Sequence, residues 1–338
     1  SQGLYANASE NKILRKRARA GSRMPTLLIT HPCFVDHDTG PGHPERPDRM
    51  RAIDRVLAHD YFADLVREEA PSRDDVEAQI LLAHPKRYLD MIKDARPEVG
   101  EGRVHLDGDT VMSPGSWMAA TRAVGAGLHA VDQVMDEGSG IRNAFCQVRP
   151  CGHHAETDRA MGFCLFANVA IAGMYARKKH GVDRVAVIDY DVHHGNGTQD
   201  IFWSDKDLFF ASTHQMPLFP GTGAVSETGV GNICNAPLRS GDNGERFRDA
   251  FESSIFPALK NFSPDMILIS AGFDAHEADP LASLRLVEAD FLWVTEQLIA
   301  YAERQCDGRV VSMLEGGYDL TALARSVGVH VRAMMDAG

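Results

Sequence analysis

A single α/β domain, a mostly parallel multi-stranded sheet flanked by helices, follows from three features of the sequence. Short β-branched runs alternate with longer helical patterns, most of those runs are apolar on both faces, and Gly/Pro-rich stretches fall just after them. A strand buried on both sides of a parallel sheet reads as such a run, and alternating strand and helix builds a parallel sheet. The predicted strands are Thr26–Thr30, Asn143–Val148, Arg184–Tyr190, Leu208–Thr213, Met266–Ala271 and Arg309–Leu314. The predicted helices are Arg46–Leu57, Ser116–Glu137, Asn168–His180, Gly244–Asn261 and Ala289–Gln305, the last with Phe291, Val294, Leu298 and Tyr301 at helical spacing. The Gly/Pro-rich stretches are Arg149–His154, Asp191–Gly197, His214–Gly223, Gly272–Pro280 and Glu315–Tyr318. In an open α/β sheet such loops, at the carboxyl ends of the strands, form the ligand crevice.

Composition narrows the class further. With 338 residues, 44% hydrophobic and 24% charged, the chain is long enough for one large domain and is not of low complexity. No uncharged apolar run approaches the ~18 residues of a membrane span, and no secretory segment is evident, so a cytoplasmic protein is expected. Residues 1–23 carry Lys12, Arg15, Lys16, Arg17, Arg19 and Arg23 against Glu10, a net +5, and read as a basic arm or expression remnant. The total of −12 therefore leaves −17 on the expected domain, residues 24–338. An acidic body argues against wholesale nucleic-acid binding and suits cationic or neutral small partners, while an oligomer stays open. Cys33, Cys146, Cys151, Cys164, Cys234 and Cys306 form no CxxC pair and read as reduced core thiols.

Four loops carry chemistry. Asp189-Tyr-Asp191-Val-His193-His194-Gly-Asn196 follows the run Val185–Ile188, and strand alternation places Asp189, Asp191 and His193 on one face while the segment stays extended. A carboxylate and an imidazole two residues apart can reach one divalent metal; the bland alternative is a helix cap and turn. Asp274, where Met266–Ile269 opens into its loop, completes Asp191, His193 and Asp274 as a zinc set with room for water and a substrate oxygen. His276 and Asp279 read as loop residues. His153 and His154, after Pro150 and Gly152, suggest bases near the metal, each needing an acceptor on its other ring nitrogen; Asp189 and Asn196 are free to supply these. In Glu315-Gly-Gly-Tyr318 the glycines let the backbone turn and bring a phenol over the site.

In combination these stretches resemble the zinc-dependent histone deacetylase family, which includes bacterial deacetylase-like amidohydrolases and acetylpolyamine amidohydrolases. The likeness runs over about residues 24–335: Gly152-His-His154 with Met161-Gly-Phe-Cys164, Asp189 to Gln199, Phe219-Pro-Gly-Thr-Gly223, Ala271-Gly-Phe-Asp274 with Asp279-Pro-Leu281, and Glu315 to Tyr318. Asn196, Gln199 and Gly42-His-Pro-Glu-Arg-Pro47 look like its class II branch; the class I branch has an Asp at the position of Asn196.

The resemblance implies the arginase/deacetylase fold and removal of acetyl or other acyl groups from ε-amino-lysine or similar amines, so the expected partner is an acylated lysine peptide or small acylated amine. By the same likeness Asp191, His193 and Asp274 bind Zn2+, and His154 is the general base. His153, oriented by Asp189, is its electrostatic partner, and Tyr318 holds the oxyanion. Phe163 and Phe219 wall a narrow tube and Leu281 lines its rim. A structural K+ would use Asp189, Asp191, His193, Ser212 and Thr213, largely through backbone carbonyls. Three rivals remain: an acetylpolyamine amidohydrolase, against which Leu281 stands where the polyamine-selective branch carries a Glu; a binuclear manganese ureohydrolase, which would need further aspartates; and a non-catalytic acyl-lysine binder, expected if a ligand, base or Tyr318 were missing.

Overall fold

A computed structural model describes residues 25–337; the basic arm at 1–23 lies outside the described residues. Its centre is one eight-stranded sheet in the order β2-β1-β5-β10-β9-β6-β7-β8. The strands are β1 (Thr26–Thr30), β2 (Val66–Glu69), β5 (Asn143–Cys146), β6 (Val185–Asp189), β7 (Leu208–Gln215), β8 (Ile233–Leu238), β9 (Met266–Ala271) and β10 (Val310–Leu314). Every neighbouring pair is parallel. Two-residue strands β3 (Val104–His105) and β4 (Val111–Met112) form a separate antiparallel pair.

Side-chain alternation explains the double-sided burial of the central strands. On β5, Phe145 faces His330 while the next residue, Cys146, donates to the Ala126 carbonyl. On β10, Ser312 bonds His330 while Met313 packs on Gly127. Helix Leu320–Met335, which carries His330, packs with Asp48–Leu57 and Glu288–Gln305 in one layer. Helix Ser116–Met135, which carries Ala126 and Gly127, packs with Asn168–His180 in the other. The expected single α/β architecture is therefore observed, as a wholly parallel main sheet between helix layers.

Several elements differ from the expectation. Both sheet edges were absent from it. Val66–Glu69 is half exposed and three of its four residues are charged, and Ile233–Leu238 contains Pro237. Charge and proline are how edge strands avoid further pairing, and they erase the apolar signature. The expected helix Gly244–Asn261 is interrupted: α-helix Gly244–Ala250 passes through a π-helical stretch, Phe251–Ile255, before Phe256–Phe262, which carries Pro257 in its first turn. Among the described residues no helix is long and apolar enough to cross a membrane.

Candidate active site

The loops after β5, β6, β7, β9 and β10 meet around a pocket of about 420 Å3 whose lining includes His154, Phe163, His193, Phe219, Leu281 and Tyr318. At its floor Asp191, His193 and Asp274 each bring one potential ligand atom within 4.8 Å of the others, all three residues buried. β6 ends at Asp189, so turns rather than an extended strand align the first two. Asp189 Oδ1 accepts the Asp191 amide at 3.0 Å, and Asp191 Oδ1 accepts the His193 amide at 2.8 Å. Asp274 Oδ1 accepts the Val192 amide at 2.9 Å and ties the β9 loop to the β6 loop. Gly272 and Gly316 lie so close to these carboxylates that a Cβ at either would collide with them.

The donor set fits a divalent cation. His193 Nδ1 lies 3.2 Å from Asp191 Oδ1 and 3.1 Å from Asp274 Oδ2. Among the described residues no Lys or Arg pairs with either carboxylate. Burial by itself would lower the His193 ring, but hydrogen bonds to the two carboxylates raise it to about 10, which favours a protonated ring in the absence of metal. A metal ion replaces that proton on binding, and two oxygens with one imidazole nitrogen and an open position suit zinc.

The adjacent imidazoles, 4.0 Å apart between ring centres, have opposite surroundings. His153 Nδ1 lies 2.8 Å from Asp189 Oδ2; burial opposes its charge, but Asp189, Asp191 and Glu315 outweigh it and hold the ring well above the ordinary histidine value. His154 Nδ1 lies 2.7 Å from Asn196 Oδ1, and burial, with the charges of His153 and His193, holds it well below that value. The amide nitrogen of Asn196 donates to Glu156 Oε1 at 2.8 Å, so its oxygen faces His154. His154 therefore carries its proton on Nδ1, and Nε2 is left as the acceptor.

Aromatic rings narrow the pocket. Phe219 stands edge-on to His154 at 5.2 Å, and Phe163 edge-on to Tyr318 at 5.9 Å. Phe163 has φ +70°, a left-handed conformation that side chains rarely adopt, and follows Gly162, where a Cβ would collide with the His154 ring. Leu281 lies on the same lining. Ser212 pairs with Asp189 across β6 and β7, and the buried hydroxyl of the neighbouring Thr213 finds no hydrogen-bond partner among the described residues.

A model of the histone deacetylase domain matches residues 43–334. This chain belongs to the histone deacetylase family. Among its relatives, an uncharacterized protein of Synechocystis is 41% identical over 87% of this chain and 94% of its own length. The chloroplastic histone deacetylase 10 of rice is 41% identical over 76% of this chain and 60% of its own. A histone deacetylase-like amidohydrolase of Pseudomonas aeruginosa is 38% identical over 84% and 75%. The solved HDA15 HD domain superposes with a TM-score of 0.85 at 31% identity, covering 92% of this chain and 89% of that one. Membership places the chain among deacetylases acting on acylated amines.

Within this deacetylase domain, several supporting residues escaped the sequence reading. Asp279, expected to be a mere loop residue, accepts the Tyr318 amide at 2.7 Å through Oδ2 and the Leu281 amide at 3.0 Å through Oδ1, joining two sides of the pocket. Burial and the charge of Asp274 push it up to about 7. Arg49 donates to the carbonyls of Glu315 and Gly317, both at 2.6 Å, and its guanidinium lies 5.1 Å from the Tyr318 ring centre. Glu45, wholly buried between Arg49 and Arg149, stays ionised because those cations outweigh its burial. The acid of Gly42-His-Pro-Glu-Arg-Pro47 was visible in the sequence; its two arginine partners, 4 and 104 residues away, were not.

Proposed function

We propose that this chain is a zinc-dependent amidohydrolase that removes acetyl or other acyl groups from the ε-amino group of lysine or from similar amines. The observation that carries the reading is the convergence of a buried Asp191–His193–Asp274 cluster, a neutral His154 and the Tyr318 phenol on one aromatic-walled pocket.

In this reading Asp191, His193 and Asp274 hold zinc, which when bound polarises the amide carbonyl and lowers the pKa of water toward ~7. Phe163 and Phe219 flank the aliphatic chain of the substrate, and Leu281 meets it near the rim. His154, neutral and with its Nδ1–H donated to Asn196, takes the proton of the attacking water on Nε2 and passes it to the leaving nitrogen. His153 stays protonated against Asp189 and places positive charge beside the negative charge that develops. Tyr318 donates its hydroxyl to the carbonyl oxygen as that oxygen becomes an oxyanion. Burial pushes the phenol well above its ordinary value, so the donor keeps its proton. Asp189, Asp191, His193, Ser212 and Thr213 are the residues that would hold a structural K+, largely through backbone carbonyls.

The test is to strip the protein of metal, reload it with one equivalent of zinc, and compare an acetyl-lysine peptide with an acetylated polyamine. Hydrolysis of the peptide that returns only with zinc is expected. Faster turnover of the polyamine would move the protein to the acetylpolyamine reading, and cleavage of neither at full zinc occupancy would contradict the proposal.

A further inference from the structure

Two thiols that this chemistry leaves unused lie beneath the pocket wall. Cys151 precedes Gly152-His153-His154, Cys164 follows Gly162-Phe163, and their sulfurs are 3.3 Å apart. Both sulfurs also turn to one acceptor, the Gly162 carbonyl, at 3.8 Å and 3.4 Å. Both are free thiols and both are buried. The Glu315 carboxylate comes within ligand reach of the pair. Its oxygens, however, already accept from the amides of Gly152 and His153 and from the Ser270 hydroxyl. The arrangement is thus a dithiol rather than a metal cage. Burial holds the Cys164 thiol well above its ordinary value.

We propose that Cys151 and Cys164 form a redox modification site, closed to a disulfide by a hydroperoxide and reopened by a reductant, which switches off the pocket beside it. Hydrogen peroxide first oxidises Cys151: the O–O bond breaks, one oxygen joins the sulfur as a sulfenic acid and the other leaves as water. The Cys164 sulfur then attacks the sulfenic sulfur, the S–S bond forms, and the hydroxyl leaves as a second water with the Cys164 proton. The two thiols supply two electrons, and the two peroxide oxygens receive them.

Closure to a bonded distance of ~2.05 Å brings the two sulfurs, now 3.3 Å apart, together by more than ~1 Å. Gly162, whose carbonyl both thiols face, lies so close to the His154 ring that not even a Cβ would fit, so any inward shift of the two loops falls on His154 or on the Phe163 wall. Displacements of about 1 Å at reacting groups cost up to about 100-fold in rate. The effect on turnover rests on the proposed role of His154; formation of the disulfide does not.

The experiment treats the zinc-loaded protein with hydrogen peroxide, quenches it with catalase, and follows deacetylation, zinc content and the non-reducing peptide map. A Cys151–Cys164 cross-link, a fall in turnover of about 10-fold or more with zinc retained, and recovery with a phosphine reductant are expected. Cys151→Ala and, separately, Cys164→Ser are expected to keep under peroxide the turnover that each has without it. Thiols that both remain alkylatable, a cross-link that leaves turnover unchanged, or an equal loss in both variants would overturn the proposal. Because the map reads the cross-link without any assay, a protein lacking amidase activity would still report on the disulfide.

Discussion

The two sides of the pocket floor treat a proton in opposite ways, although the imidazoles concerned are neighbours in the chain. On one side His153 faces the Asp189 carboxylate, with Glu315 accepting its backbone amide at 3.1 Å, and its ring is held charged. On the other, His154 faces the neutral oxygen of Asn196, backed by Glu156, and its ring is held neutral. Both rings are buried, so burial alone would empty both of their second proton. The nearest difference is the acceptor: an anion keeps a charge in place, while an amide fixes the tautomer without supplying a counter-charge; Asp191 and Glu315 add to the first effect, and the charges of His153 and His193 hold His154 neutral. A buried pair can thereby divide into a fixed cation and a free base.

Breaking the metal cluster that both sides face should have the largest effect. Asp274→Ala removes one carboxylate and the tie to Val192, and is expected to lose bound zinc and turnover together; full activity in a zinc-free variant would end the zinc reading. Removing the neutral side itself, by His154→Ala, is expected to cost ~10²–10⁴ in kcat with zinc retained. Unchanged turnover would assign the base elsewhere. Tyr318→Phe keeps the ring and its neighbours but removes the donor, and a loss of ~10²–10³ in kcat with little change in KM is expected. Asp279→Ala releases the Tyr318 amide and should cost about 10-fold. Since it acts through Tyr318, the double variant with Tyr318→Phe should be little slower than Tyr318→Phe alone; full additivity would show that Asp279 works independently.

The two sides were unequally legible in the sequence. The central strands were apparent because burial on both faces makes them continuously apolar, and the edges were hidden because Arg67, Glu68, Glu69 and Pro237 suit an edge rather than a core. The strand-end positions of Asp189, Asp191, His193 and Asp274 pointed to one cluster, though the local device is a pair of turns beginning at Asp189 and not strand alternation. Asp189 and Asn196 were legible as acceptors because neither was needed as a ligand. The roles of Glu156, which orients the Asn196 amide, and of Asp279, which stands in a family-like stretch but holds the Tyr318 loop, were not legible locally: each acts on a group about 40 residues away in sequence. The buried Thr295–His330–Ser312 cluster was invisible for the same reason, since only packing of Leu320–Met335 on the sheet assembles it.

The central claim, that the acceptor decides which ring stays neutral, is tested most directly by the pH dependence of kcat/KM for Asn196→Asp beside the unaltered protein at equal zinc occupancy. A base works only while unprotonated, so with His154 in the proposed role activity is expected to fall as pH drops through its value, which burial holds well below the ordinary histidine value. A carboxylate at position 196 would stabilise the imidazolium and raise that value. The account predicts an acidic limb displaced to higher pH, with turnover on the alkaline plateau largely kept. An acidic limb that stays where it was would contradict it and leave Asn196 a turn residue between two glycines.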